Sequence, residues 1–307
     1  MRLRIARGFT LIEMITVIAI IGILVGLMFP ALKAVRMRAL KTQELNLIGQ
    51  ITTSWTMYSI GHQEKLLPGY LSTEVQSVQK LAWIFTDETI IPPAPIYDTT
   101  IPNTTGTWPW RLLDYFDNDW RSLLFYREVE WDDTGGWLME NADVVATQPA
   151  FGYNGYYLGG SWEISPHTGR ATVRFGSVTL SDDRQTSVVI SVATRIKIPE
   201  HQLVFCSTFP ATQGIYADIS NDEPGSSFAI PSILANERKW MPLEGGRIEA
   251  LSDSEVPLGR FNGMPAVSFA DGHTKNVEVE TLLDQRVWIS RAHEIGDIPA
   301  SDFSHSE

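Results

Sequence analysis

A run of 21 residues, 9–29 (FTLIEMITVIAIIGILVGLMF), carries a single charge, Glu13. As a helix rising 1.5 Å per residue it is about 32 Å long, enough to cross the hydrocarbon core of a bilayer. Arg2, Arg4 and Arg7 precede it, Pro30 closes it, and Lys33, Arg36, Arg38 and Lys41 follow. A cleaved secretory signal has an apolar core of only about 7–15 residues and ends at a small-residue cut site. This run is longer and leads into basic residues. Two readings remain: an anchor that tethers a soluble domain, or a subunit that leaves the bilayer to pack against other chains. Glu13 bears on the choice, because a carboxylate costs about 2.5–3.5 kcal/mol at the centre of a membrane helix and less near an end. A plain anchor gains nothing from it, whereas a subunit interface can supply a cation. A local account also exists: one turn from a helix start, the dipole favours an acid and the carboxylate can reach the headgroups.

Behind this segment lies an acidic globular body. Residues 1–50 hold seven Lys/Arg against two acids, and the remainder holds 17 against 34. Such a body lacks the basic face that nucleic-acid binding requires. Hydrophobic residues at 44% and charged residues at 20% describe an ordinary folded chain. The single cysteine, Cys206, excludes an internal disulfide framework and a cysteine-based zinc site. It leaves a buried thiol or an intermolecular bridge.

The residues RGFTLIEMITVIAIIGILVGLMFPAL, from Arg7 onward, resemble the leader and anchor of type IV pilins and type II secretion pseudopilins. The resemblance implies that prepilin peptidase cuts between Gly8 and Phe9, that Phe9 becomes an N-methylated terminus, and that Glu13 pairs with the Phe9 amine of a neighbouring subunit. It implies a bacterial cytoplasmic-membrane protein that passes once through the bilayer with its body outside. Its partners would be copies of itself or other pilin-like subunits, the peptidase and an inner-membrane assembly platform. Lys/Arg counts do not orient the helix, since three basic residues lie before the span and four after it. Gly22 and Gly26 form a GxxxG pair, either a close-contact face between helices or glycine of the kind common in membrane helices. Gly22 and Pro30 bracket the stretch that loses helical hydrogen bonds in filaments of this family. Glycine's low helix propensity and proline's missing donor make such melting physically reasonable.

Leu32, Val35, Leu40, Leu47, Ile51, Trp55 and Tyr58 extend the helix as an amphipathic stripe, and Gly61 is a natural stop. The expected organisation is a leader at 1–8, a membrane or filament-core helix at 9–29, an amphipathic continuation at 30–60 and a head at 61–307. Within the head, prolines at 86–109 mark a loop, and 111–126 place Leu112, Phe116, Trp120, Leu123 and Leu124 on one face of a short helix. Residues 151–162 suggest a tight glycine-rich turn region. Strands are expected at 170–180, 186–198 and 201–206, and a hairpin at 266–279 around Asp271-Gly272. Residues 281–292 read as a short helix or strand. The fold class is α+β: one long helix laid on an antiparallel sheet.

RFNGMPAVSFADGH (260–273) resembles a C-terminal element of large pilin-like bacterial proteins in which His precedes Asp-Gly by nine residues. Phe261 stands at that position here, so the resemblance carries the hairpin without a polar role at 261. WPWRLLDYF (108–116) and FGYNGYYLGG (151–160) are similar to segments of the same proteins.

Catalytic signals are thin. None of the six histidines belongs to an HExxH or a close pair, and GxSxG, GxxxxGK[ST] and GxGxxG are missing. Asp271 and His273 share a turn that Asp-Gly already explains. Asp218, Ser220 and Asp222, with Glu223, alternate like calcium ligands but lack the glycine and distal Glu of an EF-hand, so they also read as solvated loop acids. No cofactor other than such a calcium ion is expected. The expected role is a structural, non-enzymatic filament subunit. The alternative is a membrane-tethered binding or enzymatic domain, for which the large body and aromatics such as Trp108, Trp110 and Trp162 speak.

Overall fold

The structure, a computed structural model, describes residues 10–72, 74–75, 106–117, 119–127, 137, 141–174, 177–179, 185–216, 223–234, 237–245, 247–251, 254–261 and 263–290. The chain divides into two units, Met1–Glu44 and Leu45–Glu307. A single helix, α1 (Leu11–Gly61), runs through Pro30 without a break. It is a helix long and apolar enough to cross a membrane. It starts at Leu11 and ends at Gly61, where the sequence led to a helix over 9–60.

In the first unit the large apolar side chains of α1 stand in the open, from Leu11 at 77% exposure to Val35 at 60%. The stripe expected from Leu32 onward is therefore uncovered at Leu32 and Val35 and half-covered at Leu40. Burial becomes continuous only in the second unit, where Leu47, Ile48, Ile51 and Trp55 sink into the head. Hydrogen bonds fix this part of the helix to the sheet. Thr52 Oγ1 donates to Ile48 O at 2.8 Å and lies 2.6 Å from Ser268 Oγ. Trp55 Nε1 donates to the Tyr153 hydroxyl at 3.1 Å, which in turn donates to Leu67 O at 3.0 Å.

The main sheet has five strands and is antiparallel throughout. Its centre is Leu203–Ala211, which pairs with Phe151–Tyr153, Ser254–Pro257 and Ala266–Phe269; the last also pairs with Thr274–Asn276. The central strand begins LVFC, a continuous apolar run, because it is covered on both faces. Val204 and Phe205 join the cluster of α1, Trp108 and Leu113, whereas Leu203 and Cys206 join Trp240, Val256 and Trp288. The described residues also form two smaller three-stranded sheets, one antiparallel (Trp240–Leu243, Arg247–Ala250, Gly214–Tyr216) and one containing a parallel pair, Tyr70–Leu71 with Ser161–Ile164. Two two-stranded ribbons complete the described strands. The fold is α+β, with a long N-terminal helix on antiparallel-rich sheets.

Several local expectations change. The expected helix over 111–126 breaks into Trp108–Leu112 and two 3-10 turns, Leu113–Tyr115 and Trp120–Leu124. Asp117 takes φ +49° between them, and the Asp119 side chain accepts from Ser122 N to start the second turn. All five apolar residues assigned to one helical face are still buried. The expected strand over 186–198 survives only as Gln185–Ser187 and isolated bridges at Ile190 and Val192 before a 3-10 turn at Ala193–Arg195. β-branched composition set the propensity there, but among the described residues no continuous partner strand is paired with 188–198. The hairpin forms, with a three-residue connection: Gly272 N donates to Phe269 O and Phe269 N to His273 O, and Gly272 takes φ +93°. Ala270 and Asp271 are thus the central turn residues.

Cys206 is fully buried, and burial pushes its thiol well above the ordinary range. Iodoacetamide is therefore expected to leave Cys206 unmodified in the folded protein and to alkylate it fully in denaturant, as read by intact mass. Ready labelling under native conditions would contradict this packing of the central strand.

Candidate functional site: the N-terminal segment

Thr10 and Glu13 build the start of α1. The Glu13 carboxylate accepts from Thr10 N and from Thr10 Oγ1, both at 2.8 Å, while Thr10 Oγ1 accepts from Glu13 N at 3.3 Å. This is a reciprocal capping box, the arrangement that Thr-Leu-Ile-Glu encodes at a helix start. It satisfies donors that the first turn leaves without carbonyl partners. Thr16 Oγ1 adds a bond to Glu13 O at 3.0 Å. Thr10 is the partner of Glu13 that sequence reasoning passed over, although the S/T-x-x-E signal was present.

Past this cap the helix presents Ile12, Met14, Ile15, Ile18 and Ile21 to the surroundings, each more than half exposed. A β-carbon added at Gly22 or Gly26 meets no atom within 4 Å, so the GxxxG face is bare in a single chain. Pro30 lies within the helix, and residues 22–30 are helical here. Gly8 and Phe9, the expected cleavage and methylation residues, lie outside the described residues, as do the calcium candidates Asp218, Ser220 and Asp222. Among the described residues no group of three or more His, Cys, Asp or Glu is placed to hold a metal ion.

The C-terminal element behaves as a structural turn. Asp271 Oδ1 accepts from His273 N at 3.1 Å and lies 2.6 Å from His273 Nδ1. Partial desolvation acts to raise the Asp271 carboxyl, but these hydrogen bonds and the His273 ring outweigh it and hold it below the usual range. Phe261 is buried and packs near Phe125, with ring centroids 6.4 Å apart, so an apolar contact occupies that position.

An apolar helix long enough to cross a membrane, its Glu13 carboxylate capped at the start, leads into an α+β body. The chain bears the type IV pilin and pseudopilin signature at its N-terminus: residues 3–29 match the family model described as the prokaryotic N-terminal methylation motif. No curated protein and no solved structure matches the chain.

Proposed function

We propose that the protein is a structural subunit of a type IV pilus-like or type II secretion filament. Prepilin peptidase removes residues 1–8 by cutting between Gly8 and Phe9, and Phe9 is N-methylated. Residues 9–29 hold the subunit in the bacterial cytoplasmic membrane as its one pass and later pack in the filament core. Residues 30–60 lead to the head, 61–307, which faces away from the cytoplasm. An inner-membrane assembly platform draws the subunit out to join copies of itself or other pilin-like subunits. Glu13 meets the Phe9 amine of a neighbour, and Gly22, Gly26 and Pro30 allow close packing and local melting of the helix.

One conjunction carries this reading: the methylation motif over residues 3–29 overlaps the large apolar side chains, from Leu11 to Val35, that stand uncovered on α1. Apolar area of this extent needs lipid or another chain to cover it. The capping box favours a second reading, a membrane-tethered binding or enzymatic domain, because it gives Glu13 a task within its own chain. Mass spectrometry of protein from its native cells separates the two. The filament reading expects N-methyl-Phe9 as the mature terminus; an intact Met1 or Arg2 start would support the plain tether.

A further inference from the structure

The second unit holds a cleft of about 390 Å³ far in sequence from the N-terminal motif. Its walls come from the 231–233 segment, the strand Trp240–Leu243 and the C-terminal helical turns around 283–289. Pro231, Ile233, Met241, Pro242, Leu283, Trp288 and Ile289 make it mostly apolar. Trp288 is fixed as part of the floor: its Nε1 donates to Leu282 O at 2.8 Å, and its carbonyl accepts from Asn154 Nδ2 and Gln202 Nε2, each at 2.9 Å. The cleft is thus held open by buried side chains rather than by a loose loop.

Three polar groups in the lining have no task within the chain. Tyr157 is only 2% exposed, yet among the described residues its hydroxyl has no hydrogen-bond partner. Gln285 Oε1 is enclosed and likewise without a partner. A buried polar group left unpaired costs about 1–3 kcal/mol, so the enclosed Gln285 Oε1 points to an occupant that pairs it. Arg238, exposed at the rim, has no carboxylate partner among the described residues; its Nη1 lies 4.0 Å from Met241 Sδ. The adjacent Glu237 is engaged by Lys239 at 2.5 Å and so does not neutralise it.

Apolar walls, an acceptor at Gln285, a hydroxyl at Tyr157 and a cation at Arg238 together match one chemistry: an apolar amino-acid residue whose nitrogen is acylated and whose carboxylate is free. We propose that this cleft binds the C-terminal residue of a peptide chain ending in an apolar side chain. The side chain lies against Trp288 and Ile289, the amide N–H donates to Gln285 Oε1, and the carboxylate meets Arg238 and the Tyr157 hydroxyl. The Arg238 cation at the rim, in a body of net negative charge, gives the carboxylate its direction of approach.

The test uses the full chain in detergent micelles and the probe acetyl-Gly-Leu, followed by ligand-observed saturation-transfer NMR with titration. Saturable binding is expected for the free acid, with loss of about tenfold in affinity for acetyl-Gly-Leu-amide and a similar loss for the acid on Arg238→Gln, the effect of removing one charge-assisted contact. Tyr157→Phe, which keeps the ring, is expected to weaken the acid a few-fold. Hexanoate, which has the carboxylate without the N–H, binds more weakly than the peptide acid. Equal binding of acid and amide would overturn the assignment in favour of a purely apolar surface. So would an Arg238→Gln protein that binds like the parent, or no saturation by the acid at millimolar concentration.

Discussion

Glu13→Gln protein is expected to insert in the membrane and fold normally, yet to fall at least tenfold below the parent in filament incorporation. Gln retains the oxygen that accepts from Thr10, so the capping box survives the change. It removes only the charge. If Glu13 serves the helix start alone, Gln should therefore assemble as well as Glu. If it pairs with the amine of Phe9 in a neighbour, the neutral amide leaves that amine without a counter-charge in apolar surroundings, a loss of several kcal/mol. Glu13→Leu makes the complementary case. It removes the cap as well, at about 1 kcal/mol of helix stability, while easing insertion into the bilayer. Both variants should be scored by membrane fractionation and by subunit content of sheared filaments. Normal assembly of Glu13→Gln would sink the pairing role, whatever the Leu variant does.

The largest effect in the head is expected at Gly159. Its φ is +76°, and a β-carbon there would stand 1.8 Å from Leu67 O and 2.9 Å from Pro68 Cα. The Gly159 N–H donates to Ile190 O at 2.7 Å, so the backbone is held on this side as well. Gly159→Ala therefore adds the cost of a left-handed conformation, about 1–2 kcal/mol, to a clash that only backbone movement relieves. A total above about 4 kcal/mol is expected, enough to leave much of the head unfolded. Gly169→Ala is the internal comparison: its φ is +64°, but nothing lies within 4 Å of the added carbon. That variant should lose only about 1 kcal/mol. Urea unfolding of both proteins in detergent, followed by tryptophan fluorescence, measures the difference. Equal midpoints would mean that the 151–162 segment does not approach 67–68 this closely.

Much of this protein is written in local sequence. The apolar run, its basic flanks and Thr-Leu-Ile-Glu determine a membrane-anchored helix with a capped start, because hydropathy and capping act within a turn or two of the chain. Asp-Gly determines a hairpin near 271 for the same reason, and the β-rich residues of 201–206 mark a strand. Which residues of the stripe are covered is a different kind of fact. Leu32 and Leu47 carry the same side chain on the same helix, but Leu32 is 57% exposed and Leu47 is 8% exposed. The loss of the 186–198 strand also depends on which distant segments are present as partners. The cleft goes furthest in this direction: Tyr157, Arg238 and Gln285 are scattered over the second half of the chain, and no spacing connects them. Periodicity and capping report neighbours along the chain, whereas an enclosed amide oxygen without a partner, as at Gln285, exists only once remote segments have closed around it.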